Sequence, residues 1–178
     1  MRRIYNFIVA VALVGLSQSV LAQSKESVVS ASNGVEVSVN SDEFAGRHEY
    51  TAPLIKLPDG FVLVAGVKKA GISGAAFLTG YLAYIGEWRR YSSALYRGGN
   101  PAKFTNTSRE VGRCHSSRYS RPTCTLSEGF KIEVSAEDIR QHAQNGTLSI
   151  QVRADDTSTV MLEVPVSYFD AVNEMLKR

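Results

Sequence analysis

Apolar and polar residues alternate with a period of two at four places along the chain. The four runs are residues 35–39, 130–134, 148–152 and 160–164. Because successive side chains of a strand point to opposite faces, this pattern predicts strands with one buried and one wet face. Polar residues separate the last two runs at 155–158, which predicts that these two strands pair as an antiparallel hairpin.

Two further runs, residues 61–67 and 75–85, are apolar at odd-numbered and even-numbered positions alike. Such runs are typical of strands in the middle of a sheet or between layers. The pair Lys68 and Lys69 is predicted to mark the turn between them. Residues 70–86 carry no charge, but they include four glycines and fall short of the roughly 20 apolar residues that a membrane-spanning helix needs. We therefore interpret this stretch as buried strand.

Helix signals are confined to the last third of the chain. Ser135 precedes Asp138 by three residues, a pattern that resembles a capping box, and the turn residues Asn145 and Gly146 are predicted to end this short helix.

A second helix is predicted at the C-terminus. Pro165 suits a first helical turn, and the apolar residues Phe169, Val172 and Leu176 then share one face. The whole pattern predicts a mainly β protein: a single antiparallel β-sandwich or open barrel, with one short connecting helix and a C-terminal amphipathic helix.

The first 22 residues have the features of a secretory signal peptide. Arg2 and Arg3 precede the apolar residues 7–16, and Ala22 stands before Gln23. We therefore predict a signal peptide at 1–22, a flexible N-terminal lead at 23–34 and a single β-rich domain at 35–178. The product is expected in the periplasm or outside the cell. It should be soluble, without a transmembrane segment in the mature chain, and Gln23 offers no cysteine for lipid attachment.

Charge is concentrated in one segment, residues 88–121. The whole chain carries +3, and the predicted signal peptide holds two arginines and no acid, so the mature chain carries only +1. A balance this small indicates no obligate polyanionic partner. The segment 88–121 nevertheless holds eight basic residues against the single acid Glu110, a net charge of +7, and five aromatic residues are interleaved with them.

Arginine forks beside aromatic rings can hold phosphate, carboxylate or sugar-acid groups. The candidate ligand-binding residues of the segment are Arg89, Arg90, Tyr91, Arg97, Arg109 and Arg113. The partners expected for an exported protein are anionic lipid, polysaccharide or an acidic protein surface, whereas nucleic acid is disfavoured because no nucleic-acid motif accompanies the charge. The alternative is structural: the arginines pair with Asp and Glu residues of neighbouring strands.

Cys114 and Cys124 are the only cysteines. Export into an oxidising compartment predicts a disulfide between them. A metal site that uses both cysteines and His115 lacks the ligand spacing of zinc sites, so we assign no metal and no cofactor.

No catalytic residues are assigned from the sequence. The preferred function is a non-enzymatic envelope or secreted binding protein. The alternative is a small exported hydrolase whose site is assembled from distant residues, with His48, His115 or His142 as the base.

Overall fold

The computed structural model describes residues 25–117 and 120–178, so the predicted signal peptide at 1–22 lies outside the described residues. The strands within them are β1 (Lys25–Ser30), β2 (Glu36–Asp42), β3 (Arg47–Thr51), β4 (Ile55–Leu57), β5 (Gly60–Lys69), β6 (Ile72–Ser73), β7 (Phe77–Ile85), β8 (Tyr91–Tyr96), β9 (Pro101–Ser117), β10 (Ser120–Glu133), β11 (Ala143–Gln144), β12 (Thr147–Ala154) and β13 (Thr159–Pro165). The helices are α1 (Ala136–His142) and α2 (Val166–Lys177).

The strands form one antiparallel sheet that is not closed. Its order is β1-β2-β3-β5-β7-β10-β9-β8-β12-β11, with β13 beside β12, and with β4 and β6 beside β5. The predicted class is confirmed: the protein is mainly β and antiparallel, with a short connecting helix and a C-terminal helix. Across the described residues, neither helix is long and apolar enough to cross a bilayer.

Three of the four alternating runs, 130–134, 148–152 and 160–164, place their apolar residues in one core. Phe130 and Ile132 of β10, Ile150 of β12 and Leu162 of β13 are fully buried and belong to the same apolar cluster. Removing these side chains from water is the main force that holds the strands in their register. The predicted hairpin is also confirmed, because β12 and β13 pair antiparallel from Thr147↔Pro165 to Arg153↔Thr159.

A glycine in the middle of β7 makes room for the largest core side chain of β10. Gly80 lies directly opposite Phe130, and a Cβ atom on Gly80 would stand 2.2 Å from the Phe130 ring. The ring also stacks on Phe104 of β9, with centroids 5.7 Å apart. The absence of a side chain at position 80 thus lets an aromatic ring lie flat on the sheet.

Helix α1 begins as predicted but ends earlier. Ser135 and Asp138 form a reciprocal capping box. The helix stops at His142 because Ala143 and Gln144 turn extended and pair with the start of β12. Asn145 and Gly146, predicted to end the helix, instead form a two-residue hairpin turn with φ of 49° and 74°. Asn-Gly is the preferred sequence for such a turn.

Helix α2 packs on the sheet, mainly on β5, with the predicted face. Phe169, Val172 and Leu176 are buried. Gly66 of β5 lies under the helix, where a Cβ atom would come within 2.8 Å of Val172 and 2.7 Å of Leu176. The small residue therefore sets how closely the helix approaches the sheet.

Two predicted boundaries are wrong. Residues 25–30, predicted as part of a flexible lead, form β1, which pairs along its whole length with β2. The strand is held because Val29 packs against the small cluster that Val37 forms with Ala171 and Met175 of α2. In addition, Lys68 and Lys69 belong to β5, and the turn that follows is formed at Ala70–Gly71, which both have positive φ.

The turn between β1 and β2 is tied to α2 by Glu174. The backbone N–H of Ser32 donates to Glu174 at 2.9 Å and its hydroxyl at 2.6 Å. These bonds, with the neighbouring Arg178, lower the pKa of Glu174 from 4.5 to about 2. A lowered pKa means that the carboxylate stabilises the folded state above pH 4.5, and that this contribution is lost as the pH falls through about 2.

We therefore expect the stability difference between the wild type and Glu174→Gln to be present near pH 7 and to vanish towards about pH 2. Urea unfolding of both proteins across this range measures the difference. Glu174 would have no such role if the difference stayed constant with pH.

Candidate functional site

The loop of residues 86–90 joins β7 to β8 and forms one wall of an open cleft. The cleft consists of two adjoining hollows of about 650 Å³ and 530 Å³ that share Trp88, Arg90 and Asp155. Its other lining residues are Gly86, Glu87, Arg89, Arg109, Val111, Cys124, Leu126 and Asp156. We call this feature the Trp88 cleft. Each hollow by itself lies within the size range of small-molecule binding sites.

The fully buried carboxylate of Glu128 in β10 holds the residues that line the cleft. It accepts hydrogen bonds from the backbone N–H of Arg90 at 2.9 Å and of Tyr91 at 3.2 Å. The Tyr84 hydroxyl also donates to it, and the Nε of Arg109 donates at 3.1 Å. The negative charge is thus compensated by four donors, as a buried charge requires.

The position of Glu128 in the sequence is itself a signal, because it lies on the apolar face of an alternating strand. Glu128 falls on the same alternate positions as Leu126, Phe130 and Ile132, which form the apolar face of β10. An acid in register with a buried face must find buried donors. That position could have marked the site, although it could not name the donors.

Arg89 is part of the framework of the cleft. Its guanidinium donates to Asp59 at 2.9 Å and to the Tyr91 hydroxyl at 3.1 Å, and it lies 4.4 Å from the centre of the Tyr84 ring. The bonds to Tyr91 and Asp59 raise the pKa of Arg89 above its ordinary value. Burial, with the hydrogen bond to Glu128, raises the pKa of Tyr84 to about 12.

Arg90 has the opposite arrangement, since its backbone is fixed and its side chain is exposed. The backbone has a positive φ of 59°. Glu128 accepts its N–H on one side, and the N–H of Asp155 donates to the carbonyls of Arg89 and Arg90 at 3.1 and 3.2 Å on the other. The Arg90 guanidinium makes no hydrogen bond or ion pair with a described residue.

The structure brings together four of the six predicted ligand-binding residues. Arg89, Arg90, Tyr91 and Arg109 all surround Glu128 or line the cleft. The other two lie elsewhere.

Arg97 bonds Gln144 and Ser149 at the far end of β8, and Arg113 is exposed on the β9–β10 hairpin. The structural alternative therefore describes three of the six, because Arg89, Arg97 and Arg109 pair with Asp59, Glu163 and Glu128. A role for any of the six in ligand binding stays a prediction.

The predicted disulfide is present near the end of the same hairpin. Cys114 of β9 and Cys124 of β10 lie opposite each other, and their Sγ atoms are bonded at 2.04 Å. Cys124 also lines the cleft, so the disulfide borders the candidate site.

The three histidines do not converge on the Trp88 cleft. His48 on β3 faces Ser41 on β2, with Nδ1 2.9 Å from the serine oxygen. His142 stacks on Tyr96, and His115 is exposed on the hairpin. In the described part of the chain, no group of three His, Cys, Asp or Glu side chains is placed to hold a metal ion.

Chemically, the cleft combines an aromatic wall with charged groups of both signs. Trp88 is half-buried and packs against the core. Arg109 donates its Nε–H to Glu128, its side chain is 44% exposed, and it lines one hollow of the cleft together with Arg90. The arrangement can bind an anionic group between two arginines. Comparisons of the chain with models of protein families, with curated proteins and with solved structures gave no match.

Proposed function

We propose that the protein is an exported, non-enzymatic binding protein that holds an anionic group of its ligand in the Trp88 cleft. The observation that carries the proposal is the state of Arg90, whose guanidinium is exposed in the cleft and has no acidic partner among the described residues. By contrast, Arg89 is paired with Asp59, and Arg109 with Glu128. A disulfide is compatible with an oxidising compartment, which supports export.

Preorganisation supports the proposal energetically. The loop of residues 86–90 is held by Glu128 from one side and by Asp155 from the other. Arg109 is oriented by its bond to Glu128 before any ligand arrives. Because these groups are already ordered, little conformational entropy is lost when an anion binds. Arginine also matches the two oxygens of a carboxylate or phosphate with two parallel N–H donors.

The test is a binding measurement with Arg90→Gln. A charged hydrogen bond contributes roughly 1.5–3 kcal/mol, so we expect this variant to bind about tenfold more weakly or worse. The purified mature protein is titrated with phosphatidylglycerol vesicles and with oligosaccharides of uronic acids. Phosphatidylcholine vesicles and neutral dextran serve as uncharged references.

The matched control is Arg113→Gln. It removes the same charge from the same basic segment, but outside the cleft. The control should bind like the wild type. Equal loss in both variants would show that only the overall charge of the segment matters, and no loss in Arg90→Gln would remove the cleft from the proposal.

The hydrolase alternative has one observation in its favour, the contact between Ser41 and His48. A serine nucleophile also needs its histidine to be oriented by a third group and a nearby oxyanion site. No carboxylate of a described residue bonds the His48 ring, and neither Ser41 nor His48 lines the Trp88 cleft. The geometry therefore favours the binding function.

A further inference from the structure

We infer that the ligand of the Trp88 cleft is an acidic saccharide, a sugar ring that carries a carboxylate. The inference rests on the proposed function and names the class of ligand for the same site. It comes from three features that an anion site alone does not need: an aromatic wall, two aspartates on the rim and two apolar side chains in the lining.

The aromatic wall is the indole of Trp88. It is half-buried, so one part packs against the core while another lines both hollows of the cleft. The electron-rich face of an indole attracts the weakly positive hydrogens of C–H groups, and one face of a sugar ring consists largely of C–H groups. The apolar side chains of Val111 and Leu126 line the same hollow as Trp88, which suits the same apolar face of a sugar.

The rim carries the carboxylates of Asp155 and Asp156. Asp155 accepts a hydrogen bond from Ser92 at 2.7 Å. The N–H and hydroxyl of Ser158 both donate to Asp156 at 2.9 Å, which lowers its pKa and keeps it ionised. Ionised carboxylates are hydrogen-bond acceptors only. A ligand that satisfies them must therefore bring donors, as the hydroxyls of a sugar do.

The mixture of charges argues against a densely anionic partner. Arg90 and Arg109 share the lining of the cleft with Asp155 and Asp156, and Glu87 adds a third acid. A phosphate-covered lipid surface would place negative charge against all three acids, and like charges in contact oppose binding. In a uronic acid chain each ring instead carries a single carboxylate for the arginines, together with hydroxyls for the aspartates. Among the predicted partners, polysaccharide is thus the one that fits both signs.

The experiment uses the fluorescence of Trp88, which is the only tryptophan of the chain and so reports on the cleft alone. The mature protein is titrated with trimers of galacturonic and of glucuronic acid, and with the methyl esters of the same trimers. Phosphatidylglycerol vesicles and inorganic phosphate are titrated in parallel. We expect saturable binding of at least one acidic trimer, and binding about tenfold weaker for its ester.

Two variants separate a test of the ligand class from a test of the binding site. Asp156→Asn should weaken binding of the acidic trimer about fivefold or more, because one ionised acceptor is lost, whereas Arg90→Gln should weaken every anionic probe. Binding of the ester as strong as that of the acid would overturn the inference. The inference would also be overturned if vesicles or phosphate gave a signal that depends on Arg90 while neither trimer gave one. The proposed anion site would survive that result. If no probe gave a signal, or if Arg90→Gln changed the signal of none of them, the proposed function would be overturned as well.

Discussion

Replacing Glu128 by alanine is expected to lower the free energy of unfolding by about 3–5 kcal/mol. The fully buried carboxylate accepts hydrogen bonds from two backbone N–H groups, from Tyr84 and from Arg109. Removing it leaves the donors of Tyr84 and Tyr91, two buried residues, without this partner, and each buried unpaired donor costs about 1–3 kcal/mol. The substitution also removes one of the two anchors of the loop that shapes the Trp88 cleft.

Urea unfolding measures this effect, and Glu128→Gln refines it. The carboxamide keeps the shape of the side chain, but its NH2 group is a donor that faces other donors. We therefore expect a loss of unfolding free energy smaller than that of Glu128→Ala. Glu133→Ala is the matched control, since Glu133 lies on the same strand and is exposed, paired with Lys103 and Lys131. A loss for Glu128→Ala no larger than that for Glu133→Ala would mean that the buried carboxylate does not hold the loop.

Replacing both Cys114 and Cys124 by serine is expected to lower the free energy of unfolding by about 3 kcal/mol. The disulfide closes residues 114–124 into a loop and so restricts the unfolded chain. Few strand pairs of the described residues support the hairpin there, because β7 ends its pairing with β10 at Ile85↔Thr125. In the described part of the hairpin beyond that point, β9 and β10 pair only with each other. A two-stranded ribbon is marginally stable by itself.

The measurement is urea unfolding of the double variant beside the wild type, with and without a thiol reductant. Reduced wild type should match the double variant, and the reductant should leave the double variant unchanged. If the oxidised wild type and the variant unfolded at the same urea concentration, the disulfide would contribute nothing to global stability.

Much of the fold could be predicted because its signals are local. The capping box at Ser135 and Asp138 needs only two residues three positions apart. The buried face of β10 needs only a period of two. The errors arose where a distant partner decided the outcome: β1 is a strand because α2 and β2 pack against it, and Asn145–Gly146 is a hairpin turn because β12 pairs with β11.

The site shows the same division. The sequence placed six ligand-binding candidates in one basic segment, yet Arg89 and Arg97 are held by polar groups from other parts of the chain. Asp59, the partner of Arg89, stands 30 positions earlier, and Glu128, the partner of Arg109, stands 19 positions later. No local pattern predicts such pairs, because two side chains meet only when the sheet brings their strands together.

By itself, the sequence determined the strand faces, the two helices and the pairing of the only two cysteines. These depend on side-chain periodicity and on the number of available partners, which can be read along the chain. The tertiary structure alone decided which arginines are neutralised and which one, Arg90, is left exposed beside Trp88. The physical reason is that charge compensation acts through space over a few ångströms, whereas the sequence orders residues only along the chain.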